Sequence, residues 1–244
     1  MKIHFIIILL FCFEIQAQDI KFLGWYQSYS QINQFHKFEW KFNFSNTINP
    51  KNHQFEGLQY SAGNIRLQIV NTFSYRKNRH FCYSIGLHFQ RNFTFDHNYS
   101  NEFRPFEQIE YKHEWKSLKL THMLRLNQRF MENKIDNSYP LTWTIQYKTS
   151  LNRILKDFSE GHQHLYLTGF SEEYFTLFGA QNYAFFYEYW AFLGVGYQWA
   201  DWGRLELGLG HEYLLRNAKR DIRSITYVGL NLITQINWLT HKTS

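Results

Sequence analysis

The sequence predicts an all-β fold, a single antiparallel transmembrane β-barrel, and three observations predict it. Apolar and polar residues alternate through long stretches, proline is scarce, and the connectors alternate between short and long. A period of 2 is the pattern of a strand with one apolar and one polar face. Pro accounts for 3 of 244 residues, which suits uninterrupted strands because Pro cannot donate to a ladder. Phe, Tyr and Trp make up 20% of the chain, a composition that suits both strands and membrane–water interfaces.

The clearest strand begins at Phe81. Phe81, Tyr83, Ile85, Leu87, Phe89, Phe93 and Phe95 share one face, broken only by Arg91. Cys82, Ser84, Gly86, His88, Gln90, Asn92 and Thr94 share the other. The same phase recurs in Phe38, Trp40, Phe42 and Phe44, in Ile65, Leu67 and Ile69, and in Ile109 and Tyr111. It returns in Leu118, Leu120 and Leu124, in Leu141, Trp143 and Ile145, in Leu205, Leu207 and Leu209, and in Val228, Leu230 and Leu232. Weaker segments lie at residues 22–32, 163–171 and 184–199, the last with aromatics on both faces. These stretches exceed the roughly 5 to 6 residues of a globular strand and reach the roughly 9 to 11 that a tilted membrane strand needs.

That makes eleven segments. A single-chain bacterial barrel is expected to have an even number, so the expectation is 12 strands, with 10 as the alternative. A missed strand would fall at residues 46–62 or 172–183. Short connectors near Asn33, Asn78, Lys116 and Trp202 are expected to be periplasmic turns. Longer ones at 46–62, 96–104, 131–139, 172–183 and 215–223 are expected to be extracellular loops, with 152–162 of intermediate length. Trp115, Trp199, Trp202 and Trp238 lie beside short turns or at the end of the last strand, where they would form an aromatic girdle at one interface.

Lys2 followed by an apolar run to Phe13 and by Ala17 reads as a cleaved export signal over residues 1–17, leaving a barrel domain over 18–244. The apolar run is shorter than the roughly 20 residues of a spanning helix. The expected location is the outer membrane of a Gram-negative bacterium. The expected partners are outer-membrane lipid and, during biogenesis, the barrel-assembly machinery. The formal charge of +6 is spread along the chain without a basic block, so nucleic acid is not an expected partner.

On the polar face, Arg66, Glu110, Lys112, Arg125 and Arg129 are expected to project into the lumen. Glu188, Arg204, Glu206 and Glu212 join them. Such charges either pair across the lumen as a structural ladder or line a narrow pore for small polar solutes. No catalytic residues, metal site or cofactor are expected. His162-Gln163-His164 lacks the further ligands that would complete a metal site. His122 and His211 fall on the outward face, which leaves a lipid-modifying barrel enzyme as one alternative. A soluble secreted β-sandwich is another.

Trp25, a polar-alternating hairpin, Arg125-Leu126-Asn127-Gln128-Arg129-Phe130 and Leu205-Glu206-Leu207-Gly208 occur in an order that resembles the bacterial family of unknown function 2490. The resemblance spans nearly the whole chain after residue 17, and Arg125-x-x-x-Arg129 is its clearest feature. It implies an outer-membrane barrel of about this size and carries no assigned activity.

Overall fold

The computed structural model describes residues 19–55, 58–60, 62–95, 99–159, 163–179, 187–215 and 222–238. The proposed export signal lies outside these residues. The described residues form thirteen strands and no helix. The first part contains β1 (Asp19–Phe35), β2 (Phe38–Asn49), β3 (His53–Phe55), β4 (Leu58–Tyr60), β5 (Gly63–Arg76), β6 (Phe81–Asn92) and β7 (Ser100–Trp115). The second contains β8 (Leu118–Met131), β9 (Leu141–Ser159), β10 (Gln163–Gly179), β11 (Tyr187–Ala200), β12 (Gly203–Leu215) and β13 (Ile222–Asn237).

Eleven of these strands close one barrel, in the order β1-β13-β12-β11-β10-β9-β8-β7-β6-β5-β2. The expectation of 12 or 10 strands is therefore corrected to eleven, and the sandwich alternative gives way to a single closed sheet. The short β3–β4 hairpin inside the connector at 46–62 pairs only with itself and adds no barrel strand. An up-and-down meander with an odd count brings its first and last strands together pointing the same way. β1 and β13 accordingly pair in parallel from Asp19↔Ile222 to Gln34↔Asn237, while every other barrel pairing is antiparallel. Parallel pairing is slightly less stable per residue. Side chains add to this seam: Ser28 Oγ donates to Asn231 Oδ1 at 2.7 Å, and Trp238 Nε1 donates to Asn33 Oδ1 at 3.4 Å.

The strand phase is visible in the burial. Along β6, Phe81, Tyr83, Ile85 and Leu87 are exposed on the outside, while Cys82, Ser84, His88 and Gln90 are buried inside. One end of the barrel carries the tight connectors at 36–37, 77–80, 116–117 and 201–202, together with the end of β9, the start of β10 and the end of β13. The other carries the start of β1 and the longer connectors.

Several strands run further than their sequence pattern. β7 begins at Ser100, inside the expected loop, and Pro105 lies within it. Pro105 and Arg104 have no ladder partner on β8, although the ladder to β6 is unbroken. The missing proline N–H removes that rung. β9 continues to Ser159 and β10 to Gly179, so most of 152–162 and part of 172–183 are strand.

Inward glycines let aromatic rings lie flat against the wall of β11–β13. A Cβ at Gly210 would strike the Tyr227 ring, and one at Gly196 would strike the Tyr166 ring. The mixed apolar pattern of β11 follows from this arrangement, because Trp190 and Phe192 point inward and are buried.

Candidate functional site in the barrel lumen

The nine lumen candidates all face the interior. Arg66, Arg129, Glu188, Glu206 and Glu212 are buried. Glu110, Lys112, Arg125 and Arg204 line the interior cavity. They fall into two groups at different heights.

In the long-loop half the charges are paired. Arg66 on β5 grips Glu212 on β12 with both terminal nitrogens and approaches Glu188 on β11 at 3.7 Å. β5 and β12 are four strands apart by the shorter way around the wall, so this contact spans the lumen. Trp190 Nε1 donates to Glu188 Oε1 at 2.6 Å, and the Arg66 guanidinium sits 4.1 Å from the Trp190 ring centre. On the opposite wall, Glu102 accepts from both Arg104 and Arg129. Arg104 Nη2 also donates to Gln90 Oε1 at 3.1 Å, Gln68 Nε2 donates to the same oxygen at 3.0 Å, and Ser45 Oγ donates to Gln68 Oε1 at 3.0 Å. Three arginines thus meet three glutamates in a layer that balances its own charge. Bidentate arginine–carboxylate geometry supplies the strong, directional bonds that buried charge requires.

The turn half is open. A cavity of about 970 Å³ occupies it, rimmed by Glu114, Lys119 and the turn residues Lys116 and Ser117. Its inner end is aromatic, formed by Tyr166, Phe170, Tyr174, Trp190, Phe192 and Tyr227. Nine Lys and Arg against five Glu line this chamber, so its field is cationic. Four cations have carboxylate partners: Arg76 with Glu39 (3.2 Å), Lys112 with Glu110 (3.5 Å), Lys119 with Glu114 (3.0 Å) and Lys148 with Glu172 (2.8 Å). Lys41, Arg125 and Arg204 have no carboxylate partner among the described residues. Arg125 donates only to the neutral Gln108 Oε1, at 2.9 and 2.6 Å, and covers the Phe106 ring. Arg204 Nε and His164 Nδ1 are buried without a hydrogen-bond partner among the described residues.

Glu102, Arg104 and Glu172 are the functional candidates that sequence reasoning missed, because they fell in stretches read as loop. Glu102 and Arg104 do alternate with Phe103, and that alternation was the available signal; Pro105 obscured it. Outside the strands, a hydrogen bond from Lys134 holds the Glu132 carboxyl below its usual range, and Asn101 adds a backbone donor.

The four tryptophans expected to form a girdle, Trp115, Trp199, Trp202 and Trp238, all lie at the turn end. Trp199 meets Trp202 edge-on at 5.7 Å, Trp238 stacks on Phe35 at 5.7 Å, and Trp115 stacks on His113 at 5.4 Å. Of the outward histidines, His122 Nδ1 contacts Tyr147 Oη at 2.8 Å and its ring lies against His113. His211 sits between Thr226 Oγ1, 3.2 Å from Nδ1, and Ser224 Oγ, 3.4 Å from Nε2. Ser224 is thus a hydroxyl beside His211 that the sequence alone did not place. His162 lies outside the described residues, and no group of three or more potential metal ligands occurs among those described.

The model of a family described as a protein of unknown function, DUF2490, matches residues 23–223. The chain belongs to DUF2490. That match takes in every described lumen charge and both halves of the lumen. No curated protein and no solved structure matches this DUF2490 member.

Proposed function

We propose that this DUF2490 barrel resides in the outer membrane of a Gram-negative bacterium, closed to through-flow at its long-loop end and open as a chamber at its turn end. Its role is structural or solute-handling, without catalysis. The observation that carries this reading is the outer surface. Ile85, Leu124, Leu193, Leu207, Leu209 and Leu230 form an outward aliphatic band, with Leu209 61% exposed. Aromatic pairs flank the band at the turn end, Phe38–Tyr75 and Phe81–Tyr111, and at the long-loop end, Phe89–Phe103 and Trp143–Phe178. In water so large an apolar surface is unfavourable. In lipid it matches the hydrocarbon core and its two interfaces. The export-signal pattern over residues 1–17 agrees with this placement. With short turns periplasmic, β13 ends in the periplasm and β1 starts at the outer face.

The protein is expected to float with outer membranes and to migrate differently on gels with and without heating. Recovery as a soluble periplasmic protein contradicts the reading. Leu207→Arg, in the aliphatic band, is expected to cost about 2 to 4 kcal/mol of stability in lipid. A loss much smaller than that places Leu207 away from the hydrocarbon core.

A second reading, a lipid-modifying enzyme, has the His211–Ser224 contact in its favour. No carboxylate is among the described partners of His211 to orient it, and Glu212 turns inward to Arg66. A deletion strain with unchanged lipid A and phospholipid profiles removes this reading.

A further inference from the structure

We propose that the turn-half chamber binds a small organic anion, with a phosphate or carboxylate head held by Lys41 and Arg204 and an apolar body packed on the aromatic inner end. The inference deepens the solute-handling reading above. It rests on membrane placement only for the side from which the ligand arrives.

Four observations converge on it. The chamber is a cavity of about 970 Å³, within the range of small-molecule sites. Beyond its inner end lies the layer Arg66–Glu212 and Arg104–Glu102–Arg129, whose side chains are buried. Its lining carries more cations than anions, and the surplus is localised. Lys41 pairs in the ladder with Ile32, Ile32 with Gln235, and Arg204 with Ile233, two residues along β13, so the two cations lie three strands and two register positions apart on the same inner face. Neither has a carboxylate partner among the described residues, and Arg204 Nε is a buried donor left without an acceptor. A buried donor without a partner costs about 1 to 3 kcal/mol, a cost that an incoming oxyanion relieves. The long-loop layer shows that this chain pairs lumen arginines where no ligand has room to enter. The contrast marks Lys41 and Arg204, like Arg125, as cations of the open half that no carboxylate among the described residues neutralises.

The apolar half of the specificity comes from the inner end of the chamber. Tyr166 and Phe192 lie over inward glycines, and Phe170 stacks near Phe192 at 5.8 Å. The Phe192 and Phe170 ring faces favour an acyl or aromatic body over a purely hydrophilic ion, and Lys148 Nζ stands 3.9 Å from the Phe170 ring centre. An inorganic anion uses only the cations; an amphipathic anion uses both surfaces.

Calorimetric titration of the full-length protein, purified in a neutral detergent, tests this. The probes are hexyl phosphate, inorganic phosphate, hexanol and hexyl-trimethylammonium, with a lysophosphatidic acid in neutral micelles as the lipid-borne form of the same chemistry. Hexyl phosphate is expected to bind at one site at least about tenfold more tightly than inorganic phosphate or hexanol, and the cation is expected not to bind. Binding of the lysophosphatidic acid alone keeps the anionic site and assigns its ligand to the lipid phase; binding of hexyl phosphate assigns it to the aqueous phase. Lys41→Gln combined with Arg204→Gln is expected to weaken binding at least about tenfold. Lys41→Arg and the exposed-loop control Lys134→Gln retain it. Heat-dependent gel migration checks that each variant is folded, and Lys41→Gln alone carries the test if the double variant is not. The proposal is overturned if no anion binds, if hexanol or the cation binds as tightly as hexyl phosphate, or if the folded glutamine variant keeps wild-type affinity. Each of these results leaves outer-membrane placement standing, and a failure of flotation leaves the chamber's anion binding untouched.

Discussion

The two halves of the lumen share the same strands and differ in how they treat charge. In the long-loop half, Arg66, Arg104 and Arg129 are consumed by Glu102, Glu188 and Glu212, and the space between the walls is filled. In the turn half, Lys41, Arg125 and Arg204 face a cavity without carboxylate partners among the described residues. A barrel of about 8 strands is filled by its own side chains, whereas 16 to 18 leave a channel. Eleven strands lie between those limits. The lesson is that strand count sets how much space there is, and side-chain placement decides which part of it is filled.

Removing one buried partner from the filled half is expected to have the largest effect. Glu102→Ala strands two arginines in a dry layer and is expected to cost about 3 to 5 kcal/mol in a urea titration of the folded barrel. Gly210→Val tests the aromatic inner end, where the new methyls would push Tyr227 off the wall. The expected loss is about 1 to 3 kcal/mol in the same titration. Glu110→Ala breaks a half-exposed pair in the open half and is expected to cost less than about 1 kcal/mol. The comparison between the halves breaks if Glu110→Ala costs as much as Glu102→Ala, since that would mean the open half is as dry as the filled one.

Much of this architecture was legible in the sequence. The face assignment of β6 follows from strict alternation between Phe81 and Gln90, because one face meets the exterior and the other the lumen. Legibility failed where that division of labour lapsed. Phe192 is aromatic yet inward, since Gly194, Gly208 and Gly229 make room for its ring, and Trp190 lies inward against Arg66 and Glu188. Pro105 sits inside a strand at a position that forgoes its ladder bond to β8. The strand total of eleven was present in the alternation, and the rule that favours even counts pulled the expectation away from it. A parallel closure between β1 and β13 satisfies an odd count, and nothing local in either strand announces it. The pairing of Arg66 with Glu212 was equally silent, because the partners lie 146 positions apart and meet only once the barrel closes. Which lumen cations would be left unpaired follows from that same closure.

Ion conductance through single barrels in a planar lipid bilayer tests the central claim most directly. A lumen sealed by the Arg66–Glu212 and Arg104–Glu102–Arg129 layer predicts no sustained current steps from the wild-type protein, and discrete steps once Glu102→Ala and Glu212→Ala are combined. Steady conductance through the wild-type barrel, unchanged by those substitutions, would contradict the claim.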